Sequence, residues 1–92
     1  MPFEEYRDAN LRGGTVATAF VLVQTEPAKS REVTESLRGV PGVLAADALV
    51  GPYDVIARVE SEDFDSIGRL VLTEIQRIPG VTRTLTCPTL HF

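Results

Sequence analysis

With 92 residues, 13 Asp and Glu against 9 Lys and Arg, and a formal net charge of −4, the chain is one small acidic domain, able to bury only somewhat over roughly 60% of its unfolded surface. Its few cations are scattered among acids, which argues against nucleic acid as a direct partner, because phosphate neutralisation needs clustered Lys and Arg. A single cysteine, Cys87, excludes an internal disulfide, no stretch approaches the roughly 20 apolar residues of a membrane span, and the acidic, polar run from Met1 to Asn10 is unlike a signal peptide; a cytoplasmic protein without membrane contact is expected.

The segment 1–16 is polar, carries Gly13-Gly14, and reads as a flexible arm ahead of a domain spanning 17–92. Ala17 to Gln24 is apolar at nearly every position and rich in β-formers, as a strand buried on both faces is. Pro27 then opens a helix in whose first turn it is tolerated; Val33, Leu37 and Val40 form its apolar stripe, with Lys29, Arg31, Glu32, Glu35 and Arg38 on the water side. Pro41-Gly42 turns the chain into a second strand, Val43 to Val50, and Gly51-Pro52 turns it again into a third, Tyr53 to Glu60, making an antiparallel hairpin. Ser61 is the expected N-cap of a second helix whose stripe is Phe64, Ile67, Val71, Ile75 and Ile78. Gly68 inside it suggests close approach to the sheet or to a second subunit. Pro79-Gly80 ends the helix and Val81 to Leu90 supplies the last strand, with Pro88 at a sheet edge or beyond the ladder.

The order β-α-β-β-α-β, with the helix-Pro-Gly-Val junction repeated at Val40–Val43 and Ile78–Val81, is the α+β, ferredoxin-like pattern: a four-stranded antiparallel sheet with two helices on one face. The other face has no helix to cover it. Whether it carries Phe20, Leu22, Leu44, Val50 and Ile56 or Ala19, Val21, Val23, Leu49, Val55 and Val59, it is largely apolar, so homodimerisation through that face is expected. The alternative, coverage by the N-terminal arm, has only Phe3, Tyr6 and Leu11 to offer.

Catalytic signatures are thin. His91 stands next to the C-terminus without metal-ligand spacing, Cys87 reads as a buried, inert thiol, and Asp63 and Asp65, two apart on a helix, do not face one another. No phosphate-cradling loop or zinc pattern is present, and neither metal, cofactor nor catalytic residue is expected. The remaining candidate is Gly51-Pro52-Tyr53-Asp54. Backbone N–H groups of a glycine turn can converge on a carboxylate, Asp54 can accept from an ammonium, and Thr84 and Thr86 offer hydroxyls, an arrangement that would hold an α-amino acid. Ordinary turn chemistry, with Asp54 capping a backbone group, explains the same residues.

From Ala19 to Leu90, the opening AFVLVQTEPAKSREV, the central VGPYDVIARVE and the closing PGVTRTLT resemble the effector-binding domain of Lrp/AsnC feast/famine transcription regulators, also called the regulation-of-amino-acid-metabolism domain. The resemblance implies a ferredoxin-like domain that dimerises through its sheet and assembles further, commonly into octamers, with amino-acid effectors between dimers. It places the ligand loop on Gly51, Pro52, Tyr53 and Asp54, and the last-strand threonines on Thr84 and Thr86. Pro52 departs from the acidic or polar residue usual there. These 92 residues hold no helix-turn-helix, so the chain looks like a stand-alone module that reaches DNA through a partner bearing one. A small monooxygenase-like enzyme of the dimeric α+β barrel type, with Tyr53 and His91 as the groups to suspect, and a purely structural oligomeriser are the alternatives.

Overall fold

The computed structural model describes residues 16–91. Its elements are β1 (Ala17–Thr25), α1 (Ser30–Arg38), β2 (Val43–Ala48), β3 (Val55–Ser61), α2 (Phe64–Leu70) running into a π-helical turn (Val71–Ile75), and β4 (Val81–Pro88). The strands form one antiparallel sheet in the order β2-β3-β1-β4, which is the expected ferredoxin-like arrangement. The arm expected over 1–16 lies, but for Val16, outside the described residues.

Period-two alternation in β1 and β3 sends Ala19, Val21, Val23, Val55, Ala57 and Val59 to the helix side, where each is fully buried. Val33 and Leu37 of α1, Ile67 of α2, and Val71 and Ile75 of the π-turn close that core. Burying a side chain such as Leu37 or Ile75 contributes about 1.5–3 kcal/mol, so these few residues carry most of the fold's hydrophobic stabilisation.

Both Pro-Gly junctions fold alike. Val43 N–H donates to Val40 C=O at 3.0 Å and Val81 N–H to Ile78 C=O at 3.1 Å. Gly42 and Gly80 sit at φ +96° and +97°, as the third residue of a type II turn requires. Their carbonyls then accept from Glu60 N–H (2.9 Å) and Glu26 N–H (2.8 Å), tying each junction to the end of a central strand.

Several boundaries differ from the sequence reading. α1 begins at Ser30, because Glu26-Pro27-Ala28-Lys29 forms its own turn: Lys29 N–H donates to Glu26 C=O at 3.1 Å, with Ala28 at φ +65°. The N-cap of α2 is Asp63, whose Oδ1 accepts from Ser66 N–H at 2.8 Å; Ser61 instead remains in β3, paired with Ala17. Phe64, expected in the core stripe, stands 55% exposed at the first position of α2. Among the described residues Gly68 makes no close approach to the sheet, since a Cβ there would meet nothing within 4 Å beyond its own turn of helix. β2 ends at Ala48, leaving Leu49 and Val50 outside the ladder.

On the face away from the helices, cross-strand pairing aligns Leu22 with Ile56 and Leu85, and Phe20 with Arg58 and Cys87. Phe20 and Leu85 are 39% and 45% exposed. Cys87 is exposed, not buried, because it lies on edge strand β4, on the face away from the helices.

Candidate functional site

The loop from Leu49 to Asp54 crosses the end of β1, and its own backbone pins it there. Leu49 N–H donates to Asp54 C=O (2.8 Å), and Asp54 N–H donates to Val23 C=O (2.9 Å). Gln24 Nε2 donates to the Pro52 carbonyl at 3.0 Å. Asp54 Oδ2 accepts from Thr25 N–H at 2.8 Å, so the carboxylate caps the last residue of β1. Asp54 and Tyr53 are half-buried, whereas Val50, Gly51 and Pro52 are exposed. Gly51 sits at φ +158°, and beyond its chain neighbours no heavy atom of the described residues lies within 4 Å of a notional Cβ, which leaves one side of the loop open.

This geometry narrows the chemistry of the loop. Pro52 has no N–H, and those of Leu49 and Asp54 are taken by Asp54 and Val23, which leaves the N–H groups of Val50, Gly51 and Tyr53 without an acceptor among the described residues. Asp54 Oδ1 has no donor among the described residues and keeps lone pairs for an ammonium or hydroxyl.

Thr84 and the loop belong to one end of the sheet. Val23 pairs with Val55 on one side and Thr84 on the other, so Thr84 lies two strands from the residue after Asp54, about 10 Å at the usual strand spacing. Thr86 sits one row further in, opposite Val21, and is half-buried. Thr84 Oγ1 accepts from Gln76 Nε2 at 2.9 Å. Gln76, Val81, Thr82, Arg83 and Thr84 line an open groove of about 330 Å³. The sequence reading missed Gln76 because an exposed Gln after an amphipathic helix carries no local signal.

Tyr53 and His91, the pair an enzyme reading would use, are not brought together. Tyr53 adjoins the Val23 end of β1, while Thr89, which contacts His91 Nε2 through its hydroxyl at 3.3 Å, is bonded to Thr18 at the other end. Five residues of strand separate those ends by about 17 Å. Larger open space, a groove of about 420 Å³, lies elsewhere, between α1 and the end of β2, and is lined by charged side chains including Arg31, Glu35 and Arg38. Arg38 is engaged there, donating from Nε to Ala46 C=O at 3.0 Å and approaching Asp47 at 3.7 Å. Among the described residues no three His, Cys, Asp or Glu side chains cluster to hold a metal, and no helix is long and apolar enough to cross a membrane.

The sequence profile of the Lrp/AsnC ligand binding domain matches residues 18–91. The chain is 34% identical over 84 residues to an HTH-type transcriptional regulator, PH1916, of Pyrococcus horikoshii, covering 88% of this chain and 53% of that protein. It thus spans about half the length of the curated relatives it matches. Among solved structures, the protein PHS023 of Pyrococcus horikoshii is similar at 32% identity and a TM-score of 0.75, with 83% of this chain and 92% of that chain covered. The Neisseria meningitidis transcriptional regulator NMB0573, solved as a complex with L-Met, shares the fold at 23% identity and a TM-score of 0.75, over 96% of this chain and 66% of that chain. With the profile running from the second residue of β1 to the tail beyond β4, the chain belongs to the Lrp/AsnC family through its ligand-binding domain.

Proposed function

We propose that the chain is a non-catalytic sensing and oligomerising module of the cytoplasm. It binds a small molecule, an amino acid, at Gly51, Pro52, Tyr53 and Asp54 together with Thr84 and Thr86. It influences transcription through a partner that carries a helix-turn-helix. The observation that carries this reading is the loop's exposure at the sheet end: Val50 is wholly exposed and Gly51 has open space beside it, yet Asp54 fixes the loop to β1. A rigid, half-open site of this kind suits completion by a neighbouring copy. The NMB0573 complex with L-Met, a protein of the same fold, favours an amino acid over other small molecules.

Assembly has a physical motive in the uncovered sheet face, where Phe20, Leu22, Ile56 and Leu85 form a contiguous apolar row in a domain too small to be generously stable alone. Dimers paired through that face leave the loops at the sheet ends free for contacts between dimers, and an octamer is the assembly the family suggests.

A thermal-shift panel of the twenty L-amino acids tests the sensing role. A ligand at 100 times its dissociation constant stabilises the native state by about 2.7 kcal/mol, which for a domain this size raises Tm by about 10–20 °C. No shift with any of them refutes the reading. That result would favour the purely structural oligomeriser, for which the Asp54–Thr25 hydrogen bond is the whole purpose of the carboxylate.

A further inference from the structure

The second helix leaves one row of its surface without a partner in the chain. Phe64 and Leu72 are 55% and 62% exposed, and exposed Gly68 stands midway between them. Positions four apart on an α-helix drift by roughly 40°, so the three residues make one row about 80° wide. In an unbroken α-helix Ile75 would fall in the same sector. The wider π-turn, in which Gln76 N–H donates to Val71 C=O at 2.8 Å, swings Ile75 back onto the core, where it is fully buried, while Leu72 stays outside. Nothing in the described chain calls for a glycine at position 68: a Cβ there meets no heavy atom within 4 Å beyond its own turn of helix, and glycine weakens a helix relative to alanine. Two large apolar side chains in water with a notch between them form a surface shaped for a second helix. Beside Phe64 lies an open hollow of about 320 Å³, lined also by Val16, Ala17, Glu62 and Asp63.

We propose that a second copy of this chain occupies this face, its own α2 lying antiparallel across Gly68. A two-fold axis at Gly68 brings together positions equally far before and after it. Phe64 then packs on the partner's Leu72, which enters the hollow, and Leu72 packs on the partner's Phe64. Asp65 and Arg69 are exposed one turn apart on a single flank of the row. The same rotation sets the two flanks on one side of the contact, with Asp65 two residues' rise, about 3 Å along the axis, from the partner's Arg69. A parallel pairing would put the flanks on opposite sides and leave these charges apart. Opposite charges that meet under the rotation that also matches the apolar row favour a copy of the chain over an unrelated helix. The helix layer and the uncovered sheet face are opposite surfaces of the domain, so this contact can join the sheet-face dimers proposed above. It needs no ligand and is independent of the sensing role.

Light scattering of the 92-residue chain over a dilution series, together with a chemical cross-link, tests the pairing. Gly68→Gln fills the notch with a better helix former, so it keeps or raises the wild-type Tm, yet it lowers the mass from above two chains to two. Phe64→Glu lowers it likewise. Arg69→Asp weakens the association, and adding Asp65→Arg restores the wild-type mass because the two charges are only exchanged. In a Cys87→Ser background, which removes the chain's single native thiol, Gly68→Cys joins two chains through a short bis-maleimide, whereas Glu74→Cys, exposed on another side of the helix, does not. A wild-type mass of no more than two chains, a Gly68→Gln variant with the wild-type mass, or cross-linking no stronger at Gly68 than at Glu74 overturns the α2 pairing while leaving the sheet-face dimer and the sensing role intact. A Phe64→Glu variant that melts lower with an unchanged mass also overturns it, and assigns the hollow beside Phe64 to residues 1–15 of the same chain.

Discussion

Asp54 caps the end of β1, and in the proposed site its carboxylate also faces the ligand; one pair of substitutions separates the two. Asp54→Ala removes the acceptor for Thr25 N–H while leaving the backbone bonds of Asp54 to Val23 and Leu49 in place. A hydrogen bond to a charged acceptor contributes about 1.5–3 kcal/mol. Thr25 and Asp54 are half-buried, so water can replace part of that bond and the cost falls at or just below the lower end, about 1–1.5 kcal/mol. At 4–8 °C per kcal/mol this lowers Tm by about 4–12 °C. Asp54→Asn keeps an acceptor oxygen at the same reach, so it loses less than half as much stability. It also loses the negative charge offered to a ligand ammonium, and affinity for the amino acid that stabilises the wild type drops about tenfold, the loss of one charge-assisted hydrogen bond. Melts of the three proteins, with and without that amino acid, read both effects. An Ala variant melting with the wild type would refute the capping role. An Asn variant with the full ligand-induced shift would refute the role of the charge.

Other expectations follow from the same geometry. Leu85→Glu or Phe20→Glu places a charge in the apolar row of the uncovered face and should convert the assembly towards monomer by light scattering at micromolar concentration; an unchanged mass would remove the sheet-face dimer. Gly80→Ala forces a side chain to φ +97° against Lys29 Cβ at 3.1 Å and should destabilise by about 1–2 kcal/mol in urea melts, whereas Ala28→Gly relieves φ +65° and should be neutral to stabilising by up to about 1 kcal/mol. The Ser66 backbone N–H donating to Asp63 holds that carboxyl below its ordinary value of 3.8. A depressed folded-state value means that its contribution is complete above the unfolded carboxylate range and is lost as the pH falls through the lowered value. Melts of wild type and Asp63→Asn should therefore differ by a constant amount near neutrality and converge under acid; a constant gap down to pH 2 would contradict this.

The fold was legible where the chemistry is local. Val40-Pro41-Gly42-Val43 and Ile78-Pro79-Gly80-Val81 carry their turn type in the residues themselves, and the unbroken apolar run of β1 marks a central strand without any tertiary knowledge. Boundaries set by partners were less accessible. β2 was read through Val50, but the return bond from Leu49 to Asp54 ends the ladder at Ala48, and Asp54 is drawn off β3 by Thr25. Cys87 was read as buried because strand parity on an edge strand cannot be assigned from a β-rich run alone; its pairing with Phe20 decides the face. The π-turn left no trace in the sequence either, since Ile67, Val71 and Ile75 keep an ordinary helical spacing through it. Gln76, which follows that turn and donates to Thr84, was invisible with it.

The most direct test of the account follows backbone amides by ¹H–¹⁵N correlation spectra while the stabilising amino acid is titrated into the 92-residue protein. The account predicts chemical-shift changes concentrated at Gly51, Tyr53 and Asp54 and at Thr84 and Thr86, with little change along α1. Changes centred on Arg31, Glu35 and Arg38, or spread evenly over the sheet, would contradict a ligand loop at the end of β1.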